Sequence, residues 1–216
     1  MTTKQFLPLP YGQDDFDNLK ADGCYFVDKT SSLKDVIDTD KSYVMLFTRP
    51  RRFGKSLFMT MTESFLKINS DNPGDTTLQQ KSFKGTKILD DREFCANYMG
   101  QHPAICITLK GVHGVDFEDA YYKLAEVVSA KADEYSFLKD SPSLDEKEKA
   151  KFEKLCDEDY LKSFDKKTQS YVTSAIISLA RMLYKHFKKQ VYVLIDEYDV
   201  PLAKAQEYKY HEDMVT

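Results

Sequence analysis

The sequence predicts an α/β fold in three layers, with helices on both faces of a mainly parallel sheet. Three observations point there. Tyr43-Val44-Met45-Leu46-Phe47, Ala104-Ile105-Cys106-Ile107-Thr108-Leu109 and Val191-Tyr192-Val193-Leu194-Ile195 are apolar runs of strand length, the pattern of strands buried on both faces. Long stretches of helical periodicity separate the three runs, the alternation that builds parallel sheets. The first and third runs each end abruptly, in Thr48-Arg49-Pro50-Arg51-Arg52-Phe53-Gly54 and in Asp196-Glu197.

The chain has 216 residues, 31 basic against 35 acidic, for a net charge of −4. A globally basic nucleic-acid binder looks different, so any polyanion contact must be local. Fourteen Phe and fourteen Tyr supply a packed core, which excludes wholesale disorder. No apolar run approaches the ~18 residues of a membrane span, and the N-terminus lacks a signal-peptide layout. A cytoplasmic protein is expected. Cys24, Cys95, Cys106 and Cys156 are widely spaced, without the Cys-x-x-Cys pairs of zinc ribbons or dithiol redox sites. The four histidines are scattered as well.

The elements follow in order. Leu7-Pro8-Leu9-Pro10-Tyr11-Gly12 is turn-rich, residues 14–22 suit one short helix, and Tyr25-Phe26-Val27-Asp28 is a brief β-like run. Lys29-Thr30-Ser31-Ser32 offers cap hydroxyls for a helix at 32–38. After the first strand and its loop, Phe58, Met61, Phe65 and Ile68 fall on one helical face. Residues 69–102 mix loop and short helix. Asp116 caps a helix carrying Phe117, Tyr121, Leu124 and Val128 inward, and a longer helix spans about 168–188. Residues 139–166 are dominated by charge and read as a solvated surface insertion, opened by a capping box of Ser143 and Glu146. In domain terms, 1–40 is an N-terminal extension or brace, 41–205 the core, and 206–216 a polar tail.

Gly54-Lys55-Ser56 stands where a phosphate-binding loop belongs, between a buried strand and the first turn of a helix. Gly54 lets the backbone approach phosphates, Lys55 supplies a point charge to the β- and γ-phosphates, and the Ser56 hydroxyl completes a Mg²⁺ ligand sphere. Leu57 continues the first helical turn. The full eight-residue pattern is imperfect, because Arg49 occupies the first glycine position and Pro50 has no N–H. The tripeptide alone arises by chance in roughly one chain of this size in ten.

The acidic strand end changes that weight. Asp196 would organise Mg²⁺ and Glu197 would polarise the attacking water. Both motifs then lie at the carboxyl ends of strands, the usual ligand face of a parallel sheet. Glu197 favours an ATPase over a phosphotransferase or GTP switch, and no Asn-Lys-x-Asp guanine-reading tetrapeptide occurs. Arg49, Arg51, Arg52 and Lys55 cluster around the loop, where guanidinium groups would add phosphate contacts or sense a neighbouring subunit.

With Tyr25-Phe26-Val27-Asp28-Lys29-Thr30, Phe47-Thr48-Arg49-Pro50-Arg51-Arg52-Phe53-Gly54-Lys55-Ser56 and Leu194-Ile195-Asp196-Glu197-Tyr198-Asp199-Val200-Pro201-Leu202 on the page, the chain resembles the bacterial AAA-ATPase-like family from about residue 7 to about residue 205. Members often carry a restriction-endonuclease-like domain farther along. The resemblance implies a three-layer P-loop NTPase-type sandwich that binds ATP with Mg²⁺. It makes the Arg-rich loop, Phe53 included, a family variant of the phosphate loop, and implies that Asp28, Lys29 and Thr30 lie near the nucleotide or brace the loop.

The strand order the resemblance implies, 5-1-4-3-2, needs a strand after Asp196-Glu197, and the chain stops soon after them. The central strand, its polar sensor, any arginine finger and the lid are therefore expected to be absent. The sheet would be incomplete, and the chain the N-terminal part of a longer protein or a truncated gene product. ATP hydrolysis is expected of the complete assembly. The alternative is a non-catalytic interaction module with a weak or remnant nucleotide site. Expected partners are ATP and either a protein partner or a second copy, with nucleic acid reached only through the full-length protein.

Overall fold

The computed structural model describes residues 7–38, 44–48, 50 and 52–215. The chain divides into two compact units, Met1–His102 and Pro103–Thr216. The architecture is α/β, with a two-stranded parallel sheet among the described residues.

The first unit holds helices α1 (Phe16–Ala21), α2 (Leu33–Ile37), α3 (Lys55–Leu66), α4 (Thr77–Ser82) and α5 (Arg92–Tyr98), with 3₁₀ turns at Thr30–Ser32 and Lys87–Asp90. Local chemistry sets the helix starts. Asp15 caps α1 by accepting the Asn18 N–H at 2.7 Å, and Asp91 caps α5 by accepting the Phe94 N–H at 3.0 Å; such caps are worth about 1 kcal/mol each. An aromatic core joins the helices. Phe83 lies 4.7 Å from Phe16 and 5.3 Å from Phe65, and Phe65 stacks on Phe94 at 5.6 Å, ring centre to ring centre.

The expected first strand is not formed. Val44–Thr48 carry no strand assignment and are exposed, Val44 at 83% and Leu46 at 65%; Tyr43 lies outside the described residues. A β-strand exists only where a neighbour takes its N–H and C=O groups, and the described part of this unit offers just an isolated bridge, Lys67 to His102. Apolar composition is thus insufficient by itself. Tyr25–Asp28 is likewise not a strand; its Tyr25 N–H donates to the Pro8 carbonyl at 2.8 Å.

The second unit holds β1 (Ala104–Thr108), α6 (Phe117–Asp133), a 3₁₀ turn at Ser136–Asp140, α7 (Glu146–Cys156), α8 (Glu158–Leu161), α9 (Lys166–Thr173), α10 (Ala175–Phe187), β2 (Tyr192–Asp196), α11 (Val200–Tyr208) and α12 (His211–Val215). The strands run parallel, Ala104 opposite Tyr192 and Thr108 opposite Asp196. Ile105 and Ile107 of β1 pack into a core with Ala125 and Val128 of α6, Phe152 and Leu155 of α7, and Leu179 and Leu183 of α10. Two buried tyrosine hydroxyls find carbonyls: Tyr135 donates to Ala104 at 2.7 Å and Tyr121 to Leu161 at 2.9 Å. Leaving either unpaired would be costly.

Four details differ from the sequence reading. β2 is only half-buried, with Tyr192 and Leu194 partly covered and Val193 and Ile195 exposed. The long helix about 168–188 is two helices that meet at Ser174, whose backbone (φ −94°, ψ 2°) leaves helical values. The capping box is built by Asp145 and Glu148, two residues beyond the expected pair; Ser143 sits in the preceding turn, its N–H on Ser141 Oγ at 3.3 Å. The highly charged stretch 139–166 also supplies Leu144, Phe152, Leu155 and Leu161 to the core, so one face is solvated and the other is packed.

Candidate functional site

The loop before α3 is shaped by two left-handed residues. Gly54 has φ 76° and ψ 29° and forms the N-cap of α3, and Arg52 has φ 66°. Glycine adopts this conformation at no steric cost, while an L-residue with a Cβ does not. The Gly54 carbonyl accepts the Phe58 N–H at 2.9 Å, closing the first turn of the helix. Gly54, as the N-cap, has no side chain to cap that end. A helix start of this kind presents backbone N–H groups and the positive end of the helix dipole. Among the described residues, nothing lies within 4 Å of a Cβ added at Gly54. Lys55, Ser56 and Leu57 are half-buried, and Phe53 is exposed at the loop tip. Arg49 and Arg51 lie outside the described residues.

Helix α1 braces α3 from the side. Thr60 Oγ1 accepts the Phe16 N–H at 3.1 Å and donates to the Asp14 carbonyl at 2.8 Å, and Ser64 donates to Asp17 at 2.8 Å. The sequence gives no sign of these contacts, because their partners lie more than forty residues apart.

Asp28 and Thr30 are knotted to the Lys87–Asp90 turn. Asp28 Oδ1 accepts the Thr30 N–H at 2.9 Å and the Thr30 hydroxyl at 2.7 Å, while Oδ2 accepts the Lys87 N–H at 2.8 Å. Thr30 is fully buried, and its Oγ1 also accepts the Ile88 N–H at 3.1 Å. Burial works against ionisation of Asp28, but the hydrogen bonds from Thr30 and Lys87 outweigh it and hold the carboxyl below its ordinary range. Lys29 between them is exposed.

In the second unit, Asp196 is the last residue of β2 and half-buried. Its carbonyl accepts the Leu109 N–H at 3.0 Å, and its Oδ1 accepts the Glu197 N–H at 3.0 Å. Glu197 then turns the chain with φ 52°, and its carbonyl accepts the Val200 N–H at 3.1 Å. Pro201 in the first turn of α11 suits the helix start that follows. The acid pair therefore stands at the carboxyl end of a parallel strand, on a sharp turn.

Five non-glycine residues among those described have positive φ: Arg52, Phe164, Lys188, Glu197 and Lys209. Lys188 and Lys209 are the C-caps of α10 and α11, an ordinary left-handed position. Phe164 immediately precedes the N-cap of α9. Arg52 and Glu197 fall inside the two motifs.

Among the described residues, no cluster of three or more His, Cys, Asp or Glu forms a ready-made metal cage. No helix among them is long and apolar enough to cross a membrane.

The chain is 32% identical over 123 residues to a protein of Azotobacter chroococcum mcd 1 described as "Uncharacterized protein in vnfD 5'region"; the match covers 56% of this chain and 20% of that protein. The chain thus spans about a fifth of the length of the curated relative it matches. No solved structure gives a significant match. The family described as "Predicted AAA-ATPase" matches residues 10–216, and the chain belongs to that AAA-ATPase-like family.

Proposed function

We propose that this chain is the nucleotide-binding part of a cytoplasmic P-loop ATPase, taking Mg·ATP and serving hydrolysis of its β–γ phosphoanhydride. The observation that carries the reading is the left-handed Gly54 at the start of α3, directly before Lys55 and Ser56. Family membership supports it.

The residues fit the ligand chemically. The N–H groups of the first turn of α3 suit phosphate oxygens. Lys55 clamps the β- and γ-phosphates. Phe53 and Leu57 flank that contact, and Arg49, Arg51 and Arg52 add positive charge to the loop. Ser56 and Asp196 are the hard oxygen donors that would organise Mg²⁺, with phosphate and water completing its shell. When bound, Mg²⁺ neutralises charge that develops on the phosphates during transfer. Glu197 accepts the proton of the attacking water. Asp28, Lys29 and Thr30 act by holding the first unit in shape around the loop.

A second reading has one observation behind it. The exposed apolar stretch Val44–Phe47 suits a non-catalytic module that docks a protein partner or a second copy and keeps only a remnant nucleotide site.

Thermal melts with and without Mg·ATP separate the two. A ligand that binds only the native state stabilises it by about 2.7 kcal/mol at a hundredfold excess over Kd. The ATPase reading expects the parent midpoint to rise and that of Lys55→Ala to stay. A cooperative melt in the parent with no response to Mg·ATP overturns it in favour of the docking module.

A further inference from the structure

We infer that His186 and Ser141 form an acid-sensitive latch that holds the chain entering α7 against the last turn of α10. Both residues lie in the second unit, and the latch is independent of the nucleotide reading of Gly54-Lys55-Ser56.

The observation is a buried hydroxyl with one acceptor for its hydrogen. His186 Nδ1 lies 2.7 Å from Ser141 Oγ, and Ser141 is 1% exposed. The same oxygen accepts the Ser143 N–H at 3.3 Å. Among the described residues no other acceptor is offered to the Ser141 hydroxyl. A serine has a single hydrogen to donate, so it goes to His186 Nδ1, and the imidazole is neutral with its own hydrogen on Nε2. Two rings pack on that imidazole, Phe137 at 5.1 Å and Phe187 at 4.6 Å, centre to centre.

Acid reverses the polarity of this contact. A proton on Nδ1 sets donor against donor, so the hydroxyl must turn its hydrogen away from its acceptor or the pair must part. A buried polar hydrogen without a partner is costly, and a charged ring between phenylalanines costs more. Burial accordingly pushes the His186 pKa down. The charged groups on the elements packed around the ring do not offset this. Lys185 of α10 is paired with Glu148 of α7, Asp145 accepts N–H groups of its own helix, and Lys139 and Asp140 of the 3₁₀ turn are exposed. The Lys185–Glu148 pair ties the same two helices but is partly exposed, where an ion pair adds little. The segment at stake, Ser141–Leu144, joins the 3₁₀ turn to α7, whose own N-terminal turn depends on Asp145 and Glu148.

The sign follows from the two forms. Once open, the latch exposes an ordinary histidine that titrates near pH 6.5, whereas the closed form titrates lower. The closed latch is at full strength above about pH 6.5 and weakens as pH falls toward the lower, closed-state value. Between pH 7.5 and 5.5 the ratio of closed to open can fall by at most about tenfold, a ceiling set by the ordinary histidine pKa.

Hydrogen–deuterium exchange followed by mass spectrometry tests this on the whole chain at pH 7.5 and 5.5, each rate divided by the intrinsic rate at that pH. Residues 141–149 carry the reporting amides, among them those of Ser143, Glu148 and Lys149. Their protection should drop about three- to tenfold at pH 5.5 in the parent, while β1 keeps its own. His186→Asn places an amide near the Nδ1 position that accepts from Ser141 and does not titrate, so protection of 141–149 should be the same at both pH values. An unchanged parent overturns the latch. So does an equal drop in β1, which would be a general loss in acid, or a parent-like drop in His186→Asn. Should His186→Asn fail to fold, the parent's comparison of 141–149 with β1 decides by itself.

Discussion

The Thr30 hydroxyl donates to Asp28 Oδ1 at 2.7 Å while accepting the Ile88 N–H at 3.1 Å, and Asp28 reaches the Lys87 N–H through its other oxygen. Two side chains thereby satisfy three backbone N–H groups, two of them nearly sixty residues away. The buried Ile88 N–H and the part-buried Thr30 N–H find their partners this way, and the Asp28-Lys29-Thr30 block is held against the turn before α5.

Asp28→Ala should destabilise the first unit by about 2–3 kcal/mol, the range for hydrogen bonds to a charged group whose backbone partners are left unsatisfied. The sign of the pH effect follows from the depressed carboxyl. Asp28 is ionised more readily folded than unfolded, so its contribution is fully present above the ordinary carboxylate range and is lost as pH falls through its lower, folded value. Urea unfolding between pH 2 and 7 should show the parent losing stability more steeply than Asp28→Ala on the acid side of about pH 4. Parallel curves would refute the role assigned to the ionised carboxylate.

Glu197→Gln should retain Mg·ATP binding and lose turnover. The amide keeps the shape of the side chain and its place after Asp196, whose Oδ1 bonds the Glu197 backbone rather than its carboxylate. What disappears is the ability to accept a proton, worth roughly 10²–10⁴-fold in rate. Steady-state phosphate release, with nucleotide affinity measured on the same samples and in an assembly that turns ATP over, checks it. Undiminished release from the glutamine variant would remove Glu197 from the chemistry.

Gly114→Ala should destabilise the second unit. Here the restriction is space: an added Cβ would lie 2.1 Å from Asp119 Cβ and 2.8 Å from the Ala120 backbone nitrogen, within the first turn of α6. The Gly114 N–H also donates to the Tyr210 hydroxyl at 3.3 Å, so the loop cannot retreat without breaking that bond. Forcing backbone apart typically costs about 1–3 kcal/mol. Chemical denaturation of the variant should give a lower midpoint, and an unchanged midpoint would mean that the loop yields freely.

Local signals were legible in the sequence where a few neighbouring residues suffice to decide the structure. Asp116 caps α6, with Tyr121 and Val128 buried on its inner face. The helix after Gly54-Lys55-Ser56 forms with Met61 and Phe65 buried, though it ends at Leu66, before Ile68, and leaves Phe58 half-buried, and the acid pair stands at the end of a parallel strand. Other features depended on distant partners. Thr30 looks like a helix cap in sequence and is a buried connector. The polar residues after 205 look like a tail, yet Tyr210 packs into a small cluster with Ala120 and Ala205. Nothing near these residues in the chain names the groups they meet.

The sequence by itself determined the places of the two strands that pair and of the helix Phe117–Asp133 between them, the position of the Gly54-Lys55-Ser56 loop before a helix, and the position of Asp196-Glu197 at a strand end. Turn, cap and periodicity rules act over a few residues and need no knowledge of the rest of the chain. Only the tertiary structure decided which apolar runs became strands. Ala104–Thr108 and Tyr192–Asp196 pair with each other, whereas Val44–Phe47, equally apolar, remains exposed and unassigned. Helices satisfy their backbone within one segment, but a strand is completed by its neighbour, so strand formation belongs to the assembled sheet and not to the run of residues.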